Sequence, residues 1–143
     1  MSRIIFIGKT GCGKTTLCQK LDELDINYKK TQSVEIYKNS IDTPGEYLEN
    51  RGLYNALIVT AVDADVIALV YDPKVEEGYF APGFASMFCK KVIGIITKIN
   101  QVDEEKIAIA EERIRLAGAT EVFKVDTVDN IGVGRLKQYL EEV

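Results

Sequence analysis

The stretch Ile4–Leu17 constrains this chain more than any other part of the sequence. Four apolar residues, Ile4–Ile7, precede Gly-Lys-Thr-Gly-Cys-Gly-Lys-Thr at residues 8–15. The spacing Gly-x-x-x-x-Gly-Lys-Thr is typical of a phosphate-binding loop between a buried strand and a helix. Glycines allow successive backbone N–H groups to point inwards and surround phosphate oxygens, and the positive amino end of the helix adds to their attraction.

Individual residues of this loop have separate predicted roles. Lys14 supplies a point charge for the β- and γ-phosphates and is a predicted catalytic residue, while the Thr15 hydroxyl is a natural Mg²⁺ ligand. A glycine-rich turn that binds nothing is the alternative, but the apolar strand before the loop and the leucines at helical spacing after it favour binding. The remaining predicted nucleotide contacts of the loop are Gly8, Lys9, Thr10, Gly11, Cys12, Gly13 and Thr16.

Composition narrows the classes of protein and of chemistry. The chain has 143 residues, 46% of them hydrophobic, and a formal net charge of −4. These values predict one domain over residues 1–143 and disfavour nucleic acid as a partner. No apolar run approaches the roughly 18 residues of a membrane span, so a cytoplasmic protein without membrane contacts is expected. The sequence contains no histidine, which leaves a hard cation held by oxygen atoms as the expected metal.

Apolar patterning predicts an α/β fold in which strands alternate with helices. Buried strands are expected at Ile4–Ile7, Asp65–Tyr71, Lys91–Thr97 and Glu121–Val125, with Ser33–Tyr37 and Ser40–Asp42 as an antiparallel pair. Helices are expected at Lys14–Leu24, Tyr47–Val62, Phe84–Cys89, Asp103–Gly118 and Ile131–Glu142. The predicted architecture is three-layered, with a mostly parallel sheet, helices on both faces and one antiparallel edge strand, Ser33–Tyr37.

Ligands in such sheets bind at the carboxyl ends of the strands. Asp42-Thr43-Pro44-Gly45 follows the strand Ser40–Asp42 and fits Asp-x-x-Gly. Asp42 can hold Mg²⁺ through water, the Gly45 N–H can donate to the γ-phosphate, and Thr31 in the preceding polar loop is placed as a second Mg²⁺ hydroxyl. Glu46 is the second predicted catalytic residue, because its carboxylate can accept a proton from water. A turn residue at Asp42, a free threonine at Thr31 and a helix-start glutamate at Glu46 are the alternatives.

Taken together, these segments resemble the Ras-like small GTPases of the P-loop NTPases. The motifs that carry the resemblance are Gly8–Thr15, Thr31, Asp42–Gly45 and Thr97–Asn100. Lys30–Glu35, Ile41–Tyr47 and Pro82-Gly83 make the chain more similar to the EutP/PduV family of ethanolamine and propanediol utilisation. That resemblance implies a bacterial cytosolic protein of amine or diol catabolism, associated with microcompartments and their shell proteins. It also implies acetate as a candidate substrate, because acetate kinase activity has been attributed to the family.

The stretch Thr97-Lys98-Ile99-Asn100 stands where GTPases carry Asn-Lys-x-Asp. Lys98 is retained, whereas Thr97 replaces Asn and Asn100 replaces Asp. An asparagine offers one donor and one acceptor without a negative charge, which suits the adenine edge better than the guanine edge. ATP is therefore favoured over GTP. Asp126 and Thr127, after the last strand, are placed to support the base with a main-chain N–H.

Two functions from different classes follow from these residues. One is an Mg²⁺-dependent nucleotide switch or slow NTPase that docks on a partner. The other is a small-molecule kinase that moves the γ-phosphate of ATP to acetate. The chain has few obvious acceptor-binding residues, which disfavours the kinase, while the family resemblance supports it. A nucleotide binder without turnover is a third alternative.

Overall fold

The structure, a computed structural model, describes residues 3–9, 11–14, 16–21, 40–43, 48, 51–74 and 80–142. Five strands form one sheet in the order β2-β1-β3-β4-β5, and every neighbouring pair among them is parallel. The predicted, mostly parallel sheet is therefore confirmed. The strands are β1 (Ile4–Ile7), β2 (Ser40–Asp42), β3 (Val66–Tyr71), β4 (Lys91–Ile96) and β5 (Glu121–Lys124).

The longer helices within the described part of the chain lie after β1, before β3, between β4 and β5, and after β5. They are α1 at residues 14 and 16–21, α2 at Tyr54–Ala61, α3 at Glu104–Leu116 and α4 at Val133–Glu142. The helix expected over Tyr47–Val62 is less regular than predicted, because a 3₁₀ turn at Arg51–Leu53 precedes α2. The helix expected over Phe84–Cys89 is also a 3₁₀ turn, at Phe84–Met87.

Helix α3 shows how local chemistry sets the boundaries of an element. The Asp103 carboxylate accepts a hydrogen bond from the Lys106 N–H at 3.0 Å, which satisfies one of the donors left over at a helix start. Acidic residues lie in the first turn and arginines in the last, as the helix dipole favours. Gly118, with φ of 118°, then reverses the chain towards β5.

Apolar side chains of the sheet separate into two buried clusters, one on each face. On β1, Ile5 and Ile7 belong to the cluster that includes Leu57 of α2 and Ile114 of α3. Ile4 and Phe6, which alternate with them, belong to the cluster that includes Leu17 of α1 and the buried leucines of α4. Helices therefore cover both faces, which confirms the three-layer α/β architecture.

Aromatic residues after β3 pack inside the protein. The ring centroid of Phe84 lies 5.4 Å from that of Phe80, 5.5 Å from that of Tyr54 and 5.8 Å from that of Phe88. All three phenylalanines are buried, so they contribute to the core and not to an exposed patch. None of the helices in the described ranges combines the length and the apolar composition that crossing a membrane requires.

One part of the predicted fold lies outside the described residues. It is the antiparallel edge strand Ser33–Tyr37, together with the end of the first helix at residues 22–24. The expected antiparallel partner of that edge strand, β2, pairs with β1 in parallel. The antiparallel edge therefore stays a prediction, whereas the parallel position of β2 beside β1 is established.

Candidate functional site

Glycines shape the loop between β1 and α1 in two different ways. Gly11 and Gly13 have φ of 83° and 106°, in the left-handed region that L side chains rarely adopt. Gly8 has no such angle, but a Cβ there would lie 2.6 Å from Cys12 Sγ and 2.8 Å from the Val70 carbonyl oxygen. The loop therefore turns on Gly11 and Gly13, and Gly8 allows it to pass close to β3.

Lys14 lies at the start of α1 with only 6% of its surface exposed. Its Nζ donates hydrogen bonds to the carbonyl oxygens of Gly8 at 2.8 Å and Lys9 at 3.2 Å, and lies 3.8 Å from Cys12 Sγ. Carbonyl oxygens satisfy the donors of an ammonium but do not neutralise its charge. A buried cation without a carboxylate partner among these contacts is well suited to an anionic ligand.

A cavity of about 310 Å³ opens beside this loop. Two of its lining residues, Lys14 and Lys98, carry positive charge, and its volume is within the usual range for small-molecule sites. The site thus combines a cation-lined cavity with the glycine-rich loop that the sequence predicted. Its lining residues are Gly11, Gly13, Lys14, Thr16 and Lys98.

Cys12 lies within the loop and is 1% exposed. Burial raises the pKa of the Cys12 thiol above its ordinary value, although the neighbouring Lys14 ammonium acts in the opposite direction. The side chain therefore remains a neutral thiol near pH 7, and it does not repel a phosphate. A neutral thiol at this position is compatible with the predicted contact between Cys12 and a nucleotide.

Thr97 and Lys98, at the end of β4, are tied to the glycine-rich loop. Thr97 Oγ1 donates to the Cys12 carbonyl oxygen at 2.7 Å. Lys98 Nζ donates to the Gly11 carbonyl oxygen at 2.9 Å and to Asp72 Oδ2 at 2.9 Å. Lys98 adopts a left-handed φ of 56°, uncommon for a non-glycine residue. The structure thus brings two predicted nucleotide-binding residues against the phosphate-binding loop.

Asp72 is a residue of this site to which the sequence assigned no role. It follows β3 directly and is 7% exposed. Its carboxylate forms an ion pair with Lys98 and also accepts a hydrogen bond from the Lys74 N–H at 2.9 Å. Its position at a strand end was visible in the sequence. The ion pair with Lys98 could not be predicted from the sequence, because it depends on β3 and β4 being neighbours in the sheet.

A second loop follows β5 and is organised by the buried carboxylate of Asp126. Asp126 Oδ1 accepts from the N–H groups of Val128 at 3.0 Å and Asp129 at 3.2 Å, and Oδ2 accepts from the Asn100 N–H at 3.4 Å. The Thr127 N–H has no hydrogen-bond partner in the described ranges. The Asp126 N–H, in contrast, donates to the Ile131 carbonyl oxygen at 2.9 Å, so its predicted role as a backbone donor to a base is wrong, while the Thr127 N–H remains available.

Asn100 differs from its predicted role in one respect. Its Nδ2 donates to Asp129 Oδ2 at 2.7 Å, which engages one of the two N–H groups of the amide. The preference for adenine was based on one donor and one acceptor at this residue. The contact with Asp129 engages one of the two N–H groups of this amide and places a charged acceptor beside it.

Several predicted site residues lie outside the described ranges, and their roles stay predictions. They are Thr10, Thr15, Thr31, Gly45 and Glu46. Asp42 ends β2 and pairs in register with Phe6, two residues before Gly8. The next residue, Thr43, is buried and donates from Oγ1 to the Phe6 carbonyl oxygen at 2.7 Å. The Asp-x-x-Gly segment thus begins beside the strand that leads into the phosphate-binding loop.

The metal site stays a prediction, because the predicted ligands Thr15 and Thr31 lie outside the described residues. Among the described residues, no group of three or more cysteine, aspartate or glutamate side chains comes together in a way that could hold a metal ion. The predicted Mg²⁺ does not require such a group, since this ion usually binds through one or two protein oxygens together with substrate phosphates and water.

The sequence of this chain matches a known protein family. The family profile described as "Ethanolamine utilisation - propanediol utilisation" (PduV-EutP) matches residues 1–142. The chain belongs to this family. "Propanediol utilization protein PduV" of Citrobacter freundii is 41% identical over 140 residues, or 98% of this chain and 93% of that protein. "Probable acetate kinase EutP" of Escherichia coli K12 is 33% identical over 142 residues, or 98% of this chain and 89% of that protein.

Solved structures show the same fold at lower identity. Translation elongation factor SelB of Methanococcus maripaludis superimposes with a TM-score of 0.70 and 21% identity, over 99% of this PduV-EutP family chain and 32% of SelB. The FeoB G-domain of Methanococcus jannaschii superimposes with a TM-score of 0.64 and 18% identity, over 99% of this chain and 96% of that domain. The fold is thus that of a P-loop GTPase domain, as the sequence predicted.

Proposed function

We propose that the protein binds the triphosphate of a nucleotide with Mg²⁺ and hydrolyses it slowly, or uses the bound nucleotide as a switch. The observation that supports this most directly is the environment of Lys14. Its buried ammonium contacts two neutral carbonyl oxygens and lines the cavity that Lys98 also borders. A polyphosphate is the ligand that supplies the missing negative charge in such a loop.

The residues proposed to hold Mg²⁺ are Thr15, Thr31 and Asp42. Their hydroxyl and carboxylate oxygens are the type of ligand that this ion prefers. The position of Asp42 at the end of β2, in register with β1, supports the assignment because it places the residue's backbone beside the strand that enters the loop. When bound, Mg²⁺ would neutralise part of the negative charge on the phosphate oxygens.

Hydrolysis requires a new bond from a water oxygen to the γ-phosphorus. The bond from the γ-phosphorus to the bridging oxygen breaks, and the nucleoside diphosphate leaves with that electron pair. Lys14 stabilises negative charge on the β- and γ-phosphates, and the Gly45 N–H donates to the γ-phosphate. Glu46 is the proposed acceptor of the water proton. Because a carboxylate repels the γ-phosphate, we expect slow turnover.

Transfer to acetate is the second candidate function. The relative from Escherichia coli K12 and those from Salmonella typhimurium and Salmonella typhi carry the name "Probable acetate kinase EutP". In this reaction an acetate oxygen takes the place of water, forms the bond to the γ-phosphorus, and yields acetyl phosphate. The proposed phosphate donor is ATP, which the residue types at positions 97–100 favour, and GTP is the alternative.

One assay separates these functions. Purified protein receives Mg–ATP or Mg–GTP with and without acetate, while acetyl phosphate and free phosphate are both measured. Free phosphate without acetate supports the slow NTPase. Acetyl phosphate that forms only with acetate supports the kinase and contradicts a pure switch. Nucleotide binding without either product would show that the protein binds nucleotide but does not turn it over.

The proposed cellular setting is the cytoplasm, at a bacterial microcompartment of ethanolamine or propanediol breakdown. Membership of the PduV-EutP family supports this setting. A shell protein is the proposed partner of the switch. Co-purification of the chain with intact microcompartments, compared between the wild type and Lys14→Ala, tests whether docking depends on bound nucleotide. Equal recovery of both proteins would argue against a nucleotide-dependent partner.

A further inference from the structure

The loop that follows β5 is closed tightly at both ends. Asp126 and Ile131 exchange two backbone hydrogen bonds of 2.9 Å each, in an isolated antiparallel bridge. Asn130 turns the chain with a left-handed φ of 56°. The Asp126 carboxylate also accepts from two N–H groups inside the loop. The backbone of Asp129 is thus fixed before any ligand binds.

The contact between Asn100 and Asp129 defines which atoms face outwards. A carboxylate only accepts hydrogen bonds, so the atom 2.7 Å from Asp129 Oδ2 must be the amide nitrogen of Asn100. The Asn100 Oδ1 and the second oxygen of Asp129 accept no hydrogen bond within the described part of the chain. Both side chains are exposed. Two neighbouring acceptor oxygens, one of them charged, therefore remain available.

These acceptors belong to the same region as the phosphate site. Asn100 lies two residues after Lys98, which lines the cavity beside the phosphate-binding loop. The Asn100 N–H contacts Asp126, and the Ile99 N–H donates to the Val125 carbonyl oxygen at 3.4 Å. The segments after β4 and after β5 are thus joined, and Thr127, with its available N–H, belongs to the second of them.

We propose that Asp129 is a specificity-determining residue and that it makes the base site selective for guanine. The inference rests on the proposed nucleotide site and names its base. Guanine carries an acceptor at O6 and donors at N1–H and N2–H₂, which match the Thr127 N–H, the Asn100 Oδ1 and the Asp129 carboxylate. Adenine offers one donor group, N6–H₂, beside the acceptor N1, and an acceptor that faces the charged Asp129 carboxylate is unfavourable.

Inosine triphosphate supplies a direct test, because its base is guanine without the 2-amino group. Calorimetric titration measures the Kd of Mg–GTP, Mg–ITP and Mg–ATP for the full chain. We expect GTP to bind about tenfold more tightly than ITP, the effect of one hydrogen bond to a charged acceptor, and more tightly than ATP. Asp129→Asn should bring the GTP-to-ITP affinity ratio close to one.

Asp63→Asn is the matched control, since Asp63 is exposed in the turn between α2 and the amino end of β3, whereas the site lies at the carboxyl ends of the strands. It should leave the GTP-to-ITP ratio unchanged. Equal wild-type affinities for GTP and ATP, or an unchanged ratio in Asp129→Asn, would overturn the role of Asp129 while the triphosphate site stands. Failure of all three nucleotides to bind would overturn that site and this inference together.

Discussion

Lys98 Nζ lies 2.9 Å from Asp72 Oδ2 and 2.9 Å from the Gly11 carbonyl oxygen. One ammonium therefore connects the residue after β3, the segment after β4 and the phosphate-binding loop. The Asp72 side chain is 10% exposed and that of Lys98 is 30% exposed. Because the pair is partly shielded from water, it contributes more than a fully exposed ion pair does.

Asp72→Asn should weaken both folding and nucleotide binding. The substitution keeps the shape of the side chain but removes the charge that holds Lys98, so we expect a loss of about 1 kcal/mol in the free energy of unfolding. Urea denaturation of Asp72→Asn, Lys98→Met and the double variant measures the coupling between the two side chains. Strictly additive losses would show that the ion pair has no energetic role.

Lys14→Ala should abolish triphosphate binding. The substitution removes the ammonium that lines the cavity, and the carbonyl oxygens of Gly8 and Lys9 that it contacted cannot attract an anion in its place. Calorimetric titration with Mg–GTP and Mg–ATP measures the change. Lys106→Ala, an exposed lysine of α3, is the charge-matched control and should bind as the wild type does. Unchanged affinity in Lys14→Ala would contradict the assignment of the site.

Much of the fold was predictable from the sequence because the strands are buried on both faces. Val66–Tyr71 and Lys91–Ile96 are apolar at nearly every position, and such runs are typical of strands in a parallel sheet. Their predicted bounds differ from the observed ones by a single residue. The segment before α2 was less predictable, because Gly52 lies within a 3₁₀ turn that periodicity alone does not distinguish from an α-helix.

Side-chain partners at the site were harder to predict than the site itself. The spacing of Gly8, Gly13 and Lys14 was sufficient to locate the phosphate-binding loop. Asp129 was missed because it lies 29 residues from Asn100 in the sequence, and nothing local to either residue indicates their contact. The preference for adenine treated Asn100 as an isolated residue, whereas in the tertiary structure one of its two N–H groups donates to Asp129 and a charged acceptor lies beside it.

Glu111 should make folding stability depend on acidic pH. Hydrogen bonds from Lys124 at 3.2 Å and Arg115 at 3.1 Å lower the pKa of its carboxyl below the ordinary glutamate value. The stabilisation is therefore present above the unfolded-state pKa of about 4.3 and is lost as the pH falls through the lower folded-state pKa.

Glu111→Gln tests this dependence, with an expected loss of about 0.5 kcal/mol at pH 7 because the pair is partly exposed. Urea denaturation from pH 7 down to about pH 3 should show the wild type and the variant converging in stability. Glu112→Gln, at an exposed neighbouring position of α3, should match the wild type at every pH. A difference that stays constant down to pH 3 would mean that the ionised carboxylate is not its source.

Gly8→Ala should destabilise the protein because the added methyl group has no space. Its Cβ would lie 2.6 Å from Cys12 Sγ and 2.8 Å from the Val70 carbonyl oxygen, and the latter is fixed in β3. We expect a loss of about 1–3 kcal/mol in the free energy of unfolding, with weaker triphosphate binding as the loop shifts.

Gly134→Ala is the matched control, because that glycine lies in α4 with no atom within 4 Å of an added Cβ. It should instead stabilise the helix by up to about 1 kcal/mol. Urea denaturation compares the two, and a Gly8→Ala protein as stable as the wild type would disprove the close approach of the loop to β3.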